Sequence, residues 1–379
     1  MKKEIVYISC GGTGGHFFPG LSIGRELKKR GTDVKLLLSG VNSLRQSQEA
    51  QNCGIRAEVL PRMPSPGKNI LRLLQFGLGL AGGFFRTFFL FLFHRPRYII
   101  IMGSFASAPG ALAAWLLFIP VFLHDGNARI GKANRLLSRR AGLLATAFPA
   151  VNGAACRCEV ICTGMPLRPE LEAMCRISKK EAIEGLKKEF NADLAPDRYT
   201  ILIFGGSQGA ATFNNHLPEA LNRLGSGDFQ VIHLTGRGKL ESTLELYVQS
   251  PFPRLVLESS SRMELFLGSA DLVFSRSGGS SVAELALFGK NAVLIPYPYA
   301  AEDHQTDNAR FYIDAGAGEM VADKEFTVEK AAEILARHIN CPELGKSRSA
   351  AALKAAFPCA AEVFLERVSA VLASRFRRK

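Results

Sequence analysis

The first 165 residues of this 379-residue chain have few acidic side chains, with seven Asp and Glu against 21 Lys and Arg. The rest of the chain is almost neutral, with 27 acidic and 26 basic side chains. The net charge of +13 therefore lies in one half and predicts an anionic partner for that half. An anionic membrane surface fits this charge. Nucleic acid fits it too, but the sequence has no recognised nucleic-acid-binding motif, so we expect no nucleic acid partner.

Other features typical of particular protein classes are also missing. The eight cysteines are scattered over a long chain, which argues against a small disulfide scaffold and indicates a reduced, cytosolic protein. Too few residues precede the first glycine-rich turn for a secretory leader, so we expect none. The chain has no dense aspartate cluster, and Cys156-x-Cys158-x-x-x-Cys162 does not have the spacing of a common zinc site. We therefore expect no metal and no cofactor.

Short apolar runs alternate with helical patterns along both halves. The runs predict strands at 4–9, 34–38, 97–102, 120–124 and 142–147, and then at 200–204, 230–234, 254–257, 271–275 and 292–296. Strands that alternate with helices predict parallel sheets. With the chain length, this predicts an α/β protein of two Rossmann-like domains, 1–165 and 166–379. A last helix, about 359–375, is a candidate to pack back on the first domain.

Two glycine-rich turns each follow a predicted strand and open a helical segment. The first runs from Cys10 to His16, and the second, from Phe204 to Ala210, leads into a helix predicted at 207–224. A glycine turn lets the backbone approach a phosphate closely, and the N–H groups and helix dipole favour the negative charge. Two such turns predict a diphosphate-bearing site that both domains face. His16, at the mouth of the first turn, is interpreted as a general base rather than a histidine that only hydrogen-bonds the loop.

A third strand, turn and helix is predicted at 275–284. Its backbone N–H groups and hydroxyls suit a diphosphate. Glu284, about one turn inside the helix, either accepts hydrogen bonds from two ribose hydroxyls or caps the turn. The polar cluster from Glu302 to Asn308 suits contact with a sugar, with an elaborate helix cap as the alternative.

Two further glycine patterns fit their motifs poorly. Gly12-x-Gly14-x-x-Phe17 lacks the third glycine of a dinucleotide fingerprint, and no acidic residue follows the second strand to hold a ribose. The segment 126–132 resembles a P-loop, but Ala133 stands where Ser or Thr holds magnesium. The dehydrogenase interpretation is therefore weak, and we treat the P-loop match as chance.

The segment 71–93 is unusually apolar and carries seven phenylalanines. Gln75 and Arg86 interrupt it, four glycines weaken it as a helix, and it falls short of the roughly 18 uncharged apolar residues of a spanning helix. Basic residues lie along and beside it: Arg62, Lys68, Arg72, Arg86, Arg95 and Arg97. An apolar surface with cationic flanks is typical of a segment in the membrane interface. We expect at least partial membrane contact, with a buried helix of the first domain as the alternative.

Six ordered motifs, spread over nearly the whole chain, resemble those of the MurG family. They are Gly11-Gly12-Thr13-Gly14-Gly15-His16, Leu123-His124-x-x-Asn127, Thr163-Gly164-Met165-Pro166-Leu167-Arg168, Gly205-Gly206-Ser207-Gln208-Gly209-Ala210, Ser275-Arg276-Ser277-Gly278 and Asp303-His304-Gln305-x-x-Asn308. The resemblance implies a GT-B fold, in which two Rossmann-like domains with parallel sheets face a cleft. It implies an inverting transferase that moves GlcNAc from UDP-GlcNAc to the C4 hydroxyl of undecaprenyl-diphosphoryl-MurNAc-pentapeptide in peptidoglycan synthesis. It also implies a peripheral enzyme at the cytoplasmic face of the cell membrane, with other cell-wall synthesis proteins as candidate partners.

The resemblance implies roles for individual residues as well. His16 would be the general base, and Gly12, Thr13, Gly14 and Gly15 would meet the acceptor diphosphate. The residues implied to contact UDP-GlcNAc are Thr13, Gly14, Gly15, Asn127, Arg168, Ser207, Ser260, Gly279, Ser280, Ser281, Val282, Ala283, Glu284, His304 and Gln305.

Three segments depart from the family pattern, namely His124-Asp125-Gly126-Asn127, Gly103-Ser104-Phe105 and 41–52. The first two lie on or near the side implied to bind the acceptor. Three alternatives remain open. They are a related UDP-sugar glycolipid synthase with another lipid acceptor, a UDP-GlcNAc epimerase of the same architecture, and a membrane scaffold that binds nucleotide sugar without catalysis.

Overall fold

The computed structural model describes residues 4–63, 69–206, 208–225 and 227–376. The chain divides into two compact units. One comprises Met1–Arg168 together with Cys359–Lys379, and the other comprises Pro169–Pro358. Each unit is built on a wholly parallel sheet with helices on its faces, so the predicted pair of Rossmann-like domains is confirmed.

The first unit has a seven-stranded sheet. Its strands are β1 Ile5–Ser9, β2 Asp33–Leu38, β3 Arg56–Val59, β4 Tyr98–Ile101, β5 Val121–Asp125, β6 Leu143–Thr146 and β7 Val160–Cys162. They lie in the order β3-β2-β1-β4-β5-β6-β7. The helices that precede the second unit are α1 Gly14–Lys29, α2 Ser43–Asn52, α3 Ile70–Phe93, α4 Ala108–Leu116 and α5 Lys132–Leu137.

The second unit has a six-stranded sheet in the order β10-β9-β8-β11-β12-β13. Its strands are β8 Tyr199–Phe204, β9 Phe229–Leu234, β10 Arg254–Leu257, β11 Leu272–Ser275, β12 Ala292–Leu294 and β13 Gly318–Met320. Its helices are α6 Pro169–Met174, α7 Lys179–Phe190, α8 Ala211–Leu224, α9 Leu240–Glu245, α10 Met263–Ser269, α11 Gly279–Leu287, α12 His304–Asp314, α13 Val328–Asn340 and α14 Pro342–Lys354.

The last helix, α15 (Ala360–Phe376), belongs to the first unit. Phe364, Leu365 and Val368 are buried in the apolar core formed by α1 and one face of the sheet. The ring of Phe364 also packs edge-on against His124, with 5.8 Å between ring centroids. The C-terminal segment therefore completes the core beneath β5.

Each predicted strand is present, and three further strands were not predicted. The three are β3, β7 and β13, which are short, half-buried and lie at sheet edges. An edge strand needs no continuous apolar run, so its sequence gives a weak signal. The helix predicted from position 207 begins instead at Ala211. Gly206 and Gly209 both have positive φ there, which keeps the turn from joining the helix.

The apolar segment forms one 24-residue helix, α3, that is mostly exposed. By length and composition it is the one helix among the described residues that could cross a membrane, which corrects the expectation that it is too interrupted. Only 22% of the most apolar 18-residue stretch of this helix is buried, so the alternative of a buried core helix is wrong. Two of its glycines are packing positions: a Cβ on Gly79 would lie 2.8 Å from the Arg62 carbonyl, and one on Gly83 would lie 3.0 Å from Pro109.

A charged cluster in the second unit makes its stability depend on pH. Glu319 of β13 lies 2.8 Å from His338 and 2.5 Å from Arg337. Burial raises the pKa of Glu319, but the His338 hydrogen bond and the charges of Arg337 and Arg348 outweigh it and hold the pKa at about 2. Because the folded-state pKa lies below the unfolded value, the contribution is complete above about pH 4.5 and is lost as the pH falls toward 2.

We expect Glu319→Gln to lower the free energy of unfolding by about 2–3 kcal/mol at pH 7. Urea titrations at several pH values should show this difference shrinking between pH 5 and pH 2. Glu343→Gln, which removes an exposed carboxylate paired with Lys346, is the matched control and should change stability little. A Glu319→Gln deficit that stays the same at every pH would contradict the assignment.

Candidate functional site

The first glycine-rich turn lies between β1 and α1 and rests on the segment that follows β2. A Cβ on Gly11 would lie 2.3 Å from the backbone nitrogen of Ser39, so no other residue fits at this point. Gly12 has a φ of +106°, which also favours glycine. Thr13 is the N-cap of α1, and its side chain makes no capping hydrogen bond. The first N–H groups of this 16-residue helix therefore meet the exposed side of the turn.

His16 lies in the first turn of α1, where Thr13 fixes its orientation. The Thr13 hydroxyl and the His16 Nδ1 are 2.9 Å apart. The other ring nitrogen, Nε2, lies beside Gly103 after β4, where a Cβ would be 3.6 Å away. Gly103 and Ser104 both have positive φ, and the Ser104 hydroxyl accepts from the Ala106 N–H. The departure Gly103-Ser104-Phe105 therefore lies directly beside the predicted general base.

The turn after β5 is organised by the carboxylate of Asp125. Its oxygens accept from the N–H of Gly131 at 2.9 Å, from the Asn134 amide at 3.0 Å and from the N–H of Asn127 at 3.2 Å. A Cβ on Gly126 would lie 2.9 Å from the Met165 side chain and 3.7 Å from the Gly15 carbonyl oxygen. The turn that contains Asn127 therefore lies beside the glycine-rich turn.

His124, just before this turn, has a structural role. It is fully buried, and its Nε2 donates to the Gly164 carbonyl at 3.0 Å. Burial lowers the pKa of His124, so the ring is neutral at physiological pH. Arg168, at the end of the unit, lies over the ring of Phe18, with 5.8 Å between its guanidinium and the ring centroid.

The second glycine-rich turn, after β8, packs against the turn after β9. A Cβ on Gly209 would lie 1.9 Å from the Thr235 carbonyl oxygen, and one on Gly236 would lie 2.3 Å from the Gly209 nitrogen. Asn214 of α8 donates to the Thr235 carbonyl at 2.9 Å, which links the helix to the same contact. Ala210, the N-cap of α8, has no side chain that could cap the helix. The predicted donor residue Ser207 lies outside the described residues.

The third predicted turn links β11 to α11, as the sequence indicated. Gly278 is the N-cap of α11, so the residues from Gly279 to Glu284 occupy the first turns of a helix without a side-chain cap. The Ser277 hydroxyl donates to the Gln305 carbonyl at 2.8 Å, and Asn308 donates to the Ser277 carbonyl at 3.0 Å. The polar cluster that opens α12 is therefore tied to this turn.

The side chains implied to read the donor lie around this turn. Val282 is buried, while Ser280, Ser281, Ala283 and Glu284 are partly exposed. The His304 Nδ1 donates to the Ala301 carbonyl at 2.8 Å, and the Gln305 side-chain oxygen accepts from the Tyr297 N–H at 2.9 Å. Ser260, after β10, accepts from the Arg262 N–H through its hydroxyl. All of these positions follow the carboxyl ends of parallel strands, the edge at which open α/β sheets bind ligands.

The sequence analysis assigned no role to two buried polar residues that support the turns. Gln46 of α2 donates to the Gly12 carbonyl at 3.2 Å. Arg276 donates to the carbonyls of Ile295 and Pro296 and pairs with Asp323 at 2.5 Å. Arg276 stood within a recognised motif, whereas nothing in the local sequence around Gln46 indicates its contact. Within the described part of the chain, no three His, Cys, Asp or Glu side chains are grouped to hold a metal ion.

Comparison with known proteins finds relatives whose similarity to this chain covers both units. The glycosyltransferase family 28 N-terminal domain matches residues 6–145, and the family 28 C-terminal domain matches residues 200–364. The chain is 32% identical to a protein of Myxococcus xanthus over 90% of this chain and 86% of that protein. It is also 32% identical to a protein of Thermodesulfovibrio yellowstonii over 99% of each. Both relatives are named UDP-N-acetylglucosamine–N-acetylmuramyl-(pentapeptide) pyrophosphoryl-undecaprenol N-acetylglucosamine transferase.

Solved structures agree with this relationship. The crystal structure of Acinetobacter baumannii MurG is 27% identical, covers 97% of this chain and 99% of that one, and superposes with a TM-score of 0.76. A UDP-GlcNAc 2-epimerase from Neisseria meningitidis covers 96% of this chain and 99% of that one at 13% identity and a TM-score of 0.68, which shows a shared fold alone. The chain therefore belongs to the family of UDP-N-acetylglucosamine–N-acetylmuramyl-(pentapeptide) pyrophosphoryl-undecaprenol N-acetylglucosamine transferases.

Proposed function

We propose that this chain transfers GlcNAc from UDP-GlcNAc to the C4 hydroxyl of undecaprenyl-diphosphoryl-MurNAc-pentapeptide, with inversion at the anomeric carbon. The observation that carries this proposal is the setting of His16. Its ring is held by Thr13 at the open N-terminus of α1, beside a turn that can accept a diphosphate. A base and an anion site therefore lie close together. The proposed acceptor needs both, because it carries a reacting hydroxyl and a diphosphate.

The proton transfer is assigned to His16. When its Nδ1–H donates to the Thr13 hydroxyl, Nε2 carries the lone pair that accepts a proton. The acceptor's C4 oxygen forms a bond to C1 of GlcNAc as its proton passes to Nε2. The bond from C1 to the UDP oxygen breaks on the opposite face, and UDP leaves with the bonding electron pair. The N–H groups of the turn at Gly12, Thr13, Gly14 and Gly15 hold the acceptor's diphosphate.

The leaving diphosphate is assigned to the second unit. The helices α8 and α11 both begin without a side-chain cap, so their first N–H groups and dipoles favour the charge that develops on UDP. These donors are fixed before the reaction begins, which lowers the cost of reorganisation in the transition state. In this proposal the N–H groups of the protein stabilise the charge on the leaving diphosphate, so this step does not call for a metal ion.

Recognition of the donor is assigned to side chains near α11 and α12. Glu284 lies about one turn inside α11 and is assigned to two ribose hydroxyls, from which a carboxylate can accept hydrogen bonds. His304 and Gln305 are assigned to the hydroxyls of GlcNAc, and the backbone near Ser260 to the uracil. Asn127 and Arg168 are assigned to the donor as well, and they lie in the first unit.

Membrane association is assigned to α3. Its exposed face carries large apolar side chains, among them Leu78 at 74% exposure and Phe93 at 76%. The exposed basic residues Arg72 and Arg95 lie near its ends, and the exposed Arg62 lies beside Gly79 along the helix. An apolar face with cationic flanks supports a peripheral position on the anionic, cytoplasmic face of the cell membrane.

We expect Leu78→Glu to reduce binding to phosphatidylglycerol vesicles by about ten-fold, because a charge replaces a side chain that enters the bilayer interface. Co-sedimentation with vesicles measures the effect. Val248→Glu is the matched control, since Val248 is 72% exposed in the second unit. Equal loss of binding in both variants, or no loss in Leu78→Glu, would contradict the assignment to α3.

The acceptor class is tested by incubating the purified chain and UDP-GlcNAc with each of two detergent-dispersed lipids, undecaprenyl-diphosphoryl-MurNAc-pentapeptide and diacylglycerol. The proposal predicts product from undecaprenyl-diphosphoryl-MurNAc-pentapeptide and none from diacylglycerol. Product from diacylglycerol alone would support the glycolipid synthase instead. Conversion of UDP-GlcNAc to UDP-N-acetylmannosamine without a lipid product would support the epimerase.

A further inference from the structure

Two amide side chains of α2 meet the carbonyl oxygen of Gly12. Gln46 Nε2 donates to this oxygen at 3.2 Å, and Asn42 Nδ2 lies 3.5 Å from it. Gln46 is 5% exposed, whereas Asn42 is exposed at the N-terminus of α2. The reverse orientation of the Gln46 amide would bring two acceptor oxygens together, so the contact itself fixes which atom faces Gly12.

This contact determines the direction of the next N–H group. The peptide that joins Gly12 to Thr13 is planar and trans, so its C=O and N–H point in opposite directions. Because the carbonyl faces α2, the Thr13 N–H faces the other side, where Thr13, Gly14 and Gly15 are exposed. A glycine with a φ of +106° has the freedom to rotate this peptide, so the direction depends on what holds the carbonyl.

Gln46 is poorly suited to a purely structural role. Its Oε1 is buried and has no hydrogen-bond partner among the residues that the structure describes. A buried polar atom without a partner destabilises a fold, so an apolar side chain of similar length would suit this position at least as well. The amide thus contributes to the conformation of the turn more than to the stability of the unit.

We propose that Gln46 is a positioning residue that holds the Gly12–Thr13 peptide so that the Thr13 N–H faces the acceptor's diphosphate. Asn42 is a second, weaker donor to the same carbonyl. This inference rests on the proposed function, since it concerns the turn assigned to the acceptor. It adds α2 to the machinery, in a segment (41–52) that departs from the family pattern.

The test compares Gln46→Met with Gln48→Met. Gln48 lies on the exposed face of the same helix and is the matched control. We expect Gln46→Met to keep or raise the melting temperature, to lower kcat/KM for the lipid-linked acceptor about ten-fold and to leave the KM for UDP-GlcNAc near its wild-type value. Gln48→Met should match the wild-type chain in all three measurements.

A kcat/KM for the acceptor equal to the wild-type value in Gln46→Met would overturn the inference. A loss of turnover accompanied by a lowered melting temperature would overturn it too, because the loss would then reflect instability. If the wild-type chain itself transfers nothing to the lipid-linked acceptor, the proposed function fails instead. A crystal structure of Gln46→Met then decides the inference separately. A Gly12 carbonyl rotated away from α2 supports it, and an unchanged carbonyl overturns it.

Discussion

Replacing His16 by alanine is expected to lower kcat by about 10²–10⁴-fold while UDP-GlcNAc binding stays close to that of the wild-type chain. The reason is that Nε2 takes the acceptor's proton as the new glycosidic bond forms, whereas the donor's diphosphate is assigned to other groups. Single-turnover transfer measures the chemical step, and titration with UDP-GlcNAc measures donor binding. Thr13→Val, which keeps the imidazole but removes its partner at Nδ1, should reduce kcat less.

His94→Ala is the control for the loss of an imidazole. His94 is exposed at the C-terminal end of α3 and lies outside the proposed catalytic groups, so its variant should transfer GlcNAc in detergent at the wild-type rate. Unchanged turnover in His16→Ala would remove the general-base assignment. An equal loss of donor binding and turnover would instead place His16 among the donor-binding residues.

Gly209→Ala is expected to lower kcat/KM for UDP-GlcNAc by about 10–100-fold. The added Cβ would lie 1.9 Å from the Thr235 carbonyl oxygen, so the turn between β8 and α8 must move away from the turn after β9. That movement misaligns the N–H groups assigned to the leaving diphosphate. Initial rates at varied UDP-GlcNAc concentration measure the effect, and circular dichroism shows that the variant is folded.

The matched control separates the steric clash from backbone strain. Gly238 has a φ of +70°, close to the +67° of Gly209, but a Cβ there would meet no atom within 4 Å. Gly238→Ala therefore carries a similar conformational penalty without displacing the turn. Equal kinetic effects in the two variants would contradict the role given to the contact with Thr235.

The sequence predicted the elements whose signal is local. Buried parallel strands need continuous apolar runs, so β1, β4, β8 and β11 stood out, whereas the edge strand β3 reads Arg-Ala-Glu-Val and has no such run. The family resemblance was also predictable, because its motifs are contiguous turns whose residues act through their own backbone. The family 28 matches and the relatives confirm it.

The parts that could not be predicted depend on contacts between distant segments. Gln46 contacts Gly12, which lies 34 positions earlier in the sequence. Position 209 must be glycine because the turn after β9 packs against it and leaves no room for a Cβ. The exposure of α3 was ambiguous for a similar reason, since an apolar helix reads alike whether a core or a membrane covers it. The roles of individual site residues remain predictions, which the variants above address.

The most direct test of the central claim follows labelled sugar from UDP-GlcNAc in the presence of EDTA. The purified chain is incubated with detergent-dispersed undecaprenyl-diphosphoryl-MurNAc-pentapeptide, and label is measured in the lipid and aqueous phases. The account predicts that label enters the lipid fraction, that UDP is released in equal amount and that EDTA has no effect. Binding of UDP-GlcNAc with no label in the lipid, or transfer that EDTA abolishes, would contradict it.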